Sequence, residues 1–191
     1  MRPNEKALQE LEEAVREMGV PSIGPEEGKL VCLLAQLSRA RRALELGTGV
    51  GYSTYWLGLG VGPEGSVESV ELDIERAERA RALLRKHGLA HVNIVTGEAL
   101  NFVRSLPKNR KYDLIFVDVL RSLSSEQEGR ALARLLDVRL QERGLLLADN
   151  AQAPHSAVEA FVSYFFSRRT YFSAICPVRE GLLISYRRPR R

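Results

Sequence analysis

Short apolar runs alternate with helix-length segments along most of the chain, and this alternation constrains the fold more than any other feature. Strands separated by helices require right-handed crossovers, which place the strands parallel to one another in one sheet. The alternation therefore predicts an α/β fold whose parallel sheet is covered by helices. The predicted strands, each rich in Leu, Val or Ile, are residues 42–46, 67–72, 92–96, 112–118 and 144–149.

The C-terminal segment breaks this alternation. A helix predicted over about 156–168 is followed by two apolar runs, YFSAICPV and GLLISYRR, with only a short link between them. Two runs joined so tightly form a hairpin, so one of them lies antiparallel to its neighbours. The sequence thus predicts five parallel strands closed by a C-terminal hairpin, which is not the usual pattern of a dinucleotide-dependent dehydrogenase.

The rest of the chain indicates a single domain over residues 1–191, since 191 residues at 45% hydrophobic composition suffice to bury one core. Residues 1–17 are expected to hold an amphipathic N-terminal helix, and Pro25 to open a second helix. No apolar run approaches the roughly 18 residues of a membrane span, and the N-terminus does not read as a signal peptide. With only two cysteines, we expect a reduced, cytoplasmic protein without membrane partners.

A glycine-rich loop, GTGVG, follows the first predicted strand. Its glycines, Gly47, Gly49 and Gly51, allow the backbone to turn sharply and to approach a ligand closely at a helix N-terminus. Glu71, at the end of the second strand, is placed to accept hydrogen bonds from both hydroxyls of a ribose. Loop and acid together predict a nucleoside-containing cofactor. The alternative is a tight strand–helix turn with a surface glutamate. A dinucleotide fingerprint would need glycine at position 52, which is Tyr52.

The stretch LELGTGVGYST, preceded by MGVPSIGPEEGKL and followed by VELD, resembles the class I S-adenosylmethionine (SAM) methyltransferases. More narrowly, it resembles the metal-dependent O-methyltransferases of the catechol and caffeoyl-CoA type. The resemblance runs from about residue 18 to the C-terminal hairpin, so residues 18–191 would form the catalytic core. It implies a Rossmann-like three-layer sandwich with a seven-stranded, mostly parallel sheet and an antiparallel C-terminal hairpin strand, in agreement with the hairpin above. It also implies SAM as the cofactor.

The resemblance further implies which residues bind that cofactor. The glycine loop would wrap SAM, Ser53 would meet its methionine carboxylate, and Ile23 would offer backbone contacts to the same end. Glu71 would hold the ribose. Glu98 and Ala99 stand where the family usually has Asp-Ala and would border the adenine. The complete implied set is Ile23, Gly47, Thr48, Gly49, Gly51, Ser53, Glu71, Glu98, Ala99 and Asp118.

Acidic and amide side chains follow the fourth and fifth predicted strands. Asp118 ends one strand and Asp149-Asn150 end the next, and adjacent strands lie about 4.8 Å apart, so these groups can converge. Such hard oxygen ligands suit Mg²⁺, Mn²⁺ or Ca²⁺. The resemblance implies the same set, Asp118, Asp149 and Asn150, for a divalent ion, normally Mg²⁺. The alternative is that Asp118 contacts the SAM amino group while Asp149 and Asn150 cap the next loop.

Three departures from the family pattern affect the acceptor side. Arg121 replaces the family's lysine, and a guanidinium cannot take up a proton, so Arg121 could only stabilise an oxyanion. The loop after Asn150 is short, and few residues precede the MGVPSIG stretch. These features predict an open acceptor site. His155, just beyond the short loop, is a candidate base at neutral pH, the alternative being an exposed residue in the first turn of a helix.

The net charge of the chain is compatible with a second class of methyl acceptor, a nucleic acid. The net charge is +4 and the chain ends in a basic tail, residues 187–191, which is either a nucleic-acid contact or a solvated terminus. We therefore weigh three functions. The first is O-methylation of a small, for instance catechol-like, hydroxylated acceptor with a divalent metal. The second is methylation of a tRNA hydroxyuridine, and the third is SAM binding without catalysis. Relatives of this type usually form dimers, so a homodimer is expected.

Overall fold

The computed structural model describes residues 3–190, which form one seven-stranded sheet in the order β3-β2-β1-β4-β5-β7-β6. The first five strands are parallel, whereas β7 runs antiparallel to both β5 and β6. This confirms the predicted sheet and hairpin and identifies β7 as the antiparallel strand. The strands are β1 Arg42–Leu46, β2 Ser66–Glu71, β3 Val92–Thr96, β4 Tyr112–Val117, β5 Leu140–Ala148, β6 Tyr171–Cys176 and β7 Leu182–Arg187.

Helices cover both faces of the sheet. The helices are α1 Glu5–Met18, α2 Pro25–Leu37, α3 Tyr52–Val61, α4 Ile74–Lys86, α5 Ala99–Ser105, α6 Glu126–Asp137 and α7 Ser156–Phe166, with a short 3₁₀ turn at Leu120–Ser122. Two of the helices start at residues that favour a helix N-terminus. The Asn4 side chain caps α1, and Pro25 occupies the first turn of α2.

Apolar side chains of the central strands point alternately to the two faces of the sheet, so the core consists of two layers. Leu114 and Phe116 of β4 pack with α1 to α4, whereas Ile115 and Val117 pack with α5 to α7. Successive side chains of a strand point to opposite faces, so each strand contributes to both layers. The three-layer sandwich implied by the resemblance is therefore present.

The largest differences from the predicted element boundaries concern β5 and the helices on either side of it. Strand β5 begins at Leu140, four residues earlier than expected, and α6 accordingly ends at Asp137. Residues 141–143 are polar and exposed, so the apolar pattern of the sequence did not include them in the strand. At this point the pairing of β4 with β5 also shifts register, between Tyr112 and Leu114. Helix α7 ends at Phe166 rather than near residue 168. The polar start of β5 lies far from the edge that carries the candidate site.

Hydrogen bonds continue from strand to strand beyond the carboxyl ends of the strands. The Gly47 and Thr48 amides donate to Val70 O (2.9 and 3.2 Å), the Asp118 amide to Leu46 O (2.8 Å), and the Asp149 amide to Val117 O (2.9 Å). These bonds hold the first residues of three different loops side by side. The fold thereby places the glycine loop and both aspartates at one edge of the sheet, as expected from their positions at strand ends.

No helix within residues 3–190 is long and apolar enough to cross a membrane. Cys32 and Cys176 are both free and partly buried. The reduced state of these thiols and the cytoplasmic location stay predictions.

Candidate functional site

The glycine loop connects β1 to α3 in a conformation that favours glycine. Gly47 and Gly51 have φ values of +96° and +94°, a region that other residues rarely adopt. A Cβ atom on Gly47 would lie 2.8 Å from the backbone oxygen of Asp118. Gly47 is therefore required both for the turn and for the close approach of the two loops.

Glu71 closes one side of this loop. The Gly49 amide donates to Glu71 Oε2 (2.7 Å), and the Asp73 amide donates to Oε1 (3.0 Å). Each carboxylate oxygen can accept a further hydrogen bond, so Glu71 can still receive two ribose hydroxyls. The predicted pairing of glycine loop and acid is thus an actual contact, which fixes the carboxylate before any ligand binds.

A small cleft that is partly open to solvent lies against the loop. Predicted cofactor residues line it, namely Gly47, Thr48, Gly49, Ser53 and Asp118, together with Ser22. Ile23 follows Ser22 but is itself buried, and its carbonyl oxygen accepts a hydrogen bond from the Ser22 hydroxyl (3.4 Å). The structure therefore brings the methionine end of the predicted cofactor site together.

The residues predicted to border adenine are arranged differently. The Glu98 carboxylate caps α5, accepting from the Leu100 and Asn101 amides (2.8 and 2.7 Å), so its acceptor capacity is largely used by its own helix. Leu72, which directly follows Glu71, is 70% exposed and offers apolar surface at the end of β2. Sequence reasoning missed Leu72, although a large apolar residue directly after a strand-end acid is a readable signal.

Glu45 is a buried acid of β1 beneath the loop, and it was also missed. Thr54 and Ser69 donate hydrogen bonds to its Oε2, while Oε1 has no protein partner. Burial raises the pKa of Glu45 to about 7, against the opposing effect of the Ser69 and Thr54 hydrogen bonds. The signal in the sequence was an acid at the centre of an otherwise apolar strand.

Asp118, Asp149 and Asn150 lie together beside the cleft. Asp149 is buried, and its Oδ1 accepts from the Asn150 amide (2.6 Å); Asn150 has a left-handed backbone (φ +57°). Burial, followed by the charge of Asp149, raises the pKa of Asp118 well above its ordinary value. Two carboxylates that repel each other, with an amide side chain next in the sequence, offer the kind of oxygen donors that suit a hard cation.

A third carboxylate, that of Glu27, lies beside Asp149 at the start of α2. Its side chain is 1% exposed, and neither of its oxygens has a hydrogen-bond partner. Burial and then the charge of Asp149 raise the pKa of Glu27 to about 8. In the sequence this residue reads as an ordinary acid in the first turn of a helix, so it was not singled out.

These carboxylates do not form a ready-made metal centre. Among the described residues, no group of three or more His, Cys, Asp or Glu side chains is arranged to hold a metal ion. The nearest cationic group is Arg179, whose Nε lies 4.0 Å from Glu27 Oε2. Both Glu27 oxygens lack a partner, so the acidic groups here receive fewer hydrogen-bond donors than they can accept. A cation there fits these residues.

The two predicted catalytic residues both have protein partners. Arg121 Nη1 donates to both carboxylate oxygens of Glu180 (3.0 and 2.9 Å) on the exposed surface. The Nδ1 atom of His155 accepts from the Ala157 amide (3.3 Å) and caps α7. The neutral His155 ring therefore carries its proton on Nε2 and has no accepting nitrogen left for a substrate.

The short loop after β5 is attached to the link between β6 and β7. The Ala151 amide donates to Gly181 O and the Gln152 amide to Glu180 O, both at 2.8 Å. The hairpin therefore positions both the residues that follow Asn150 and the Arg179 side chain. This link was predicted only as a turn.

Described residues of the basic tail contact the protein. Arg187 Nη1 donates to Leu140 O (3.1 Å) and to Asp137 Oδ1 (3.4 Å), and the guanidinium of Arg188 lies 5.8 Å from the centre of the Phe172 ring. Arg190 Nε lies 3.3 Å from a Glu142 oxygen. Residue 191 lies outside the described residues. The tail is thus bound along the last strand and to the start of β5.

The strand order, the glycine loop and the acid at the end of β2 define a Rossmann-like fold of the SAM-methyltransferase class. The chain belongs to the O-methyltransferase family, whose model matches residues 3–155. A catechol O-methyltransferase of Mycobacterium tuberculosis is 37% identical over 131 residues, which are 68% of this chain and 56% of that protein. One of Niastella koreensis is 35% identical over 143 residues, 72% of this chain and 62% of that protein. The chain thus spans about three fifths of the length of these curated relatives.

Solved structures have the same fold over nearly the whole chain. A methyltransferase from Geobacter sulfurreducens is 25% identical with a TM-score of 0.84, covering 99% of this chain and 91% of its own. An O-methyltransferase from Bacillus cereus, solved in complex with SAH, has a TM-score of 0.82 at 21% identity and covers 98% and 93%. The similarity includes the C-terminal hairpin, which lies beyond the residues matched by the family model. The predicted family and fold are confirmed.

Proposed function

We propose that this protein binds SAM in the cleft beside the glycine loop and transfers its methyl group to a hydroxyl oxygen of a small, for instance catechol-like, acceptor. One observation carries the proposal. Hydrogen bonds between strand ends hold the Gly47 loop, Asp118 and Asp149 side by side, so that a cofactor site and an acidic site share one edge of the sheet. The catechol O-methyltransferase relatives and the SAH complex of the Bacillus cereus enzyme support this assignment.

On the cofactor side, the chain contributes binding and orientation. The Gly47–Gly51 backbone provides a close surface for the methionine portion, and Ser53 lies in the same cleft. Glu71 is fixed by the Gly49 amide and accepts the ribose hydroxyls. Leu72 offers apolar surface for the purine, while Glu98 and Ala99 lie at the start of α5. Positioning the sulfonium methyl in this way supplies the orientation that a displacement at carbon requires.

On the acceptor side, we propose that Asp118, Asp149 and Asn150 hold a divalent cation, most simply Mg²⁺. Their oxygen atoms match its preferences, and the unpartnered carboxylate of Glu27 nearby supports it. When bound, such a cation lowers the pKa of an acceptor hydroxyl and fixes the oxygen that attacks the methyl group. The aspartates would thereby place that oxygen next to the cleft, which Asp118 also lines.

Arg121 and His155 take supporting roles in this proposal. The Arg121 guanidinium, held by Glu180, carries a positive charge near the acceptor edge and exchanges no proton. His155 fixes the start of α7, and it would have to give up that cap in order to act as a base. The proposal therefore assigns removal of the acceptor proton to neither side chain.

A small acceptor agrees best with the surroundings of the basic tail, because Arg187 is engaged by Asp137 and Leu140 rather than presented to a phosphate backbone. If no small molecule is methylated in the assay, the favoured function becomes methylation of a tRNA hydroxyuridine or SAM binding without catalysis. The homodimer stays a prediction that sedimentation can measure.

Two measurements test the proposal. Calorimetric titration with SAM should show saturable micromolar binding, and no binding at high micromolar SAM would refute the cofactor assignment. Labelled SAM with catechol should give a methylated product that is lost on adding EDTA and restored by excess Mg²⁺. Product formation unaffected by EDTA would remove the metal from the proposal but leave the methyltransferase. Transfer to bulk tRNA but to no catechol would replace the acceptor.

A further inference from the structure

Glu27 is a buried carboxylate that the proposed reaction has not yet used. It lies in the first turn of α2, with its side chain 1% exposed and with neither oxygen hydrogen-bonded within the protein. A buried carboxylate without donors is costly, because it loses its hydration and gains nothing in return. Its environment must therefore supply a donor, a proton or a cation.

The protein offers Glu27 little compensation. The Nε atom of Arg179 lies 4.0 Å from Oε2 and donates no hydrogen bond to it, and the Arg179 side chain is half exposed. Asp149, on the other side, is a second acid. The neighbouring Glu26 shows the ordinary arrangement, since it is solvent-exposed and paired with Lys29 at 2.7 Å. The contrast between the two adjacent glutamates indicates that Glu27 is directed to the acidic site for a reason other than helix capping.

We propose that Glu27 is a positioning residue for the divalent cation of the acidic site, accepting hydrogen bonds from water bound to an ion that Asp118, Asp149 and Asn150 hold. This proposal rests on the metal part of the proposed function. The metal-bound water would supply the hydrogen-bond donors that both carboxylate oxygens of Glu27 lack within the protein.

A contact through water agrees with the geometry better than direct coordination. The described side chains include no group of three carboxylates close enough to hold an ion directly, although Glu27 lies beside Asp149. Mg²⁺ commonly keeps several of its waters in proteins, and carboxylates outside the ligand set orient them. Removing such a partner typically weakens metal affinity by roughly 10- to 100-fold.

Arg179 opposes the cation in this arrangement. Its Nε lies 4.0 Å from Glu27 Oε2, so its positive charge already compensates part of the negative charge that attracts the ion. Arg179 lies in the link between β6 and β7, outside the strands. Neutralising it should therefore strengthen cation binding, in the opposite direction to neutralising Glu27.

The test is Mn²⁺ binding to the full chain, followed by the electron paramagnetic resonance signal of the free ion, with no acceptor present. Glu27→Gln should weaken Mn²⁺ binding by roughly 10-fold or more. The matched control Glu26→Gln, which removes the same charge one residue away, should change it less than about two-fold. Because glutamine imitates a protonated glutamate, an unchanged affinity in Glu27→Gln would show that Glu27 holds a proton instead, and would overturn the proposal.

Further variants separate this result from other failures. Asp149→Asn should abolish Mn²⁺ binding, which shows that the titration reports the acidic site. If Glu27→Gln does not fold, Arg179→Gln decides: tighter Mn²⁺ binding supports the proposal, and unchanged or weaker binding contradicts it. If the unmodified protein binds no Mn²⁺, both this proposal and the metal part of the function fall. SAM titration of the same samples still tests the cofactor assignment independently.

Discussion

The two halves of the site differ in how the protein satisfies one acid in each, Glu71 on the cofactor half and Glu27 on the acceptor half. On the cofactor half, both oxygens of Glu71 receive backbone amides, and Thr48 is hydrogen-bonded to Ser69 at 2.5 Å. On the acceptor half, Glu27 has no hydrogen-bond partner and Asp118 has a raised pKa. The glycine loop and Glu71 are therefore held together by the protein itself, whereas Glu27 receives no donor from it.

The difference follows from the kind of atom that builds each half. Backbone amides of a glycine loop are fixed by the fold itself, so they can satisfy a carboxylate without a ligand. The acceptor half consists mainly of like-charged side chains, which repel one another when no cation is present. Variants that act on one half, or on the contact between the two halves, should reveal this division.

Gly47→Ala should have the largest effect, because Gly47 is where the halves touch. The new Cβ would lie 2.8 Å from Asp118 O at a φ of +96°, so the loop must move. We expect SAM affinity to fall by more than roughly 100-fold in calorimetry, since strain of about 1–3 kcal/mol adds to the displacement. Gly62→Ala is the matched control, with a φ of +76° and nothing within 4 Å of the new atom. Equal losses in both variants would contradict the importance of the contact.

Asp149→Asn should affect the acceptor half alone. Methyl transfer to catechol should fall by roughly 100-fold because the cation loses a charged ligand. SAM affinity, measured on the same preparation, should change less than about three-fold. If SAM binding falls as far as activity does, the two halves are not separable and the comparison above is wrong.

Glu45→Gln tests the buried acid beneath the loop through pH. The pKa of Glu45 is raised to about 7, so the folded state binds its proton more tightly than the unfolded state does. The stabilisation from that proton is present below the unfolded value of 4.5 and is lost as pH rises through 7. Between pH 5 and 8 the free energy of unfolding should therefore fall by roughly 2 kcal/mol more in the unmodified protein than in the variant. Parallel urea-melt profiles would refute the raised pKa.

Arg121→Ala should have the smallest effect. Its ion pair with Glu180 is on the surface, with the arginine side chain 60% exposed, so stability should change by less than about 1 kcal/mol. We expect kcat for catechol to fall less than about three-fold, because the guanidinium transfers no proton. Glu180→Ala, which removes the other partner, should behave alike. A drop in kcat of ten-fold or more confined to Arg121→Ala would instead establish it as an oxyanion-stabilising residue.

The sequence predicted those features that depend on local pattern. The alternation of apolar runs with helical segments predicted that the strands are parallel, and the short link after Cys176 predicted the hairpin. Both could be predicted because strand and turn signals lie in consecutive residues. The start of β5 was missed because residues 141–143 are exposed and polar. They belong to β5 only because Leu140, which precedes them, pairs with Tyr112 of β4.

The buried acids were missed for a related reason. Glu27 and Glu45 are unusual only in what surrounds them, and neighbours distant in the chain determine that. His155 was correctly placed at the start of α7, yet the bond between its Nδ1 and the Ala157 amide required coordinates. Chemistry that depends on burial or on the choice of ring nitrogen cannot be obtained from spacing alone.

The attachment of the β5 loop to the link between β6 and β7 has an evolutionary consequence. The family model ends at residue 155, but the amides of Ala151 and Gln152 depend on carbonyl groups about thirty positions later. Exchanging the residues of that link can therefore alter how the acidic side is held, and which acceptors it admits, while the cofactor loop stays the same. An evolutionary change in that link would thus act on the residues that follow Asn150, about thirty positions earlier in the chain.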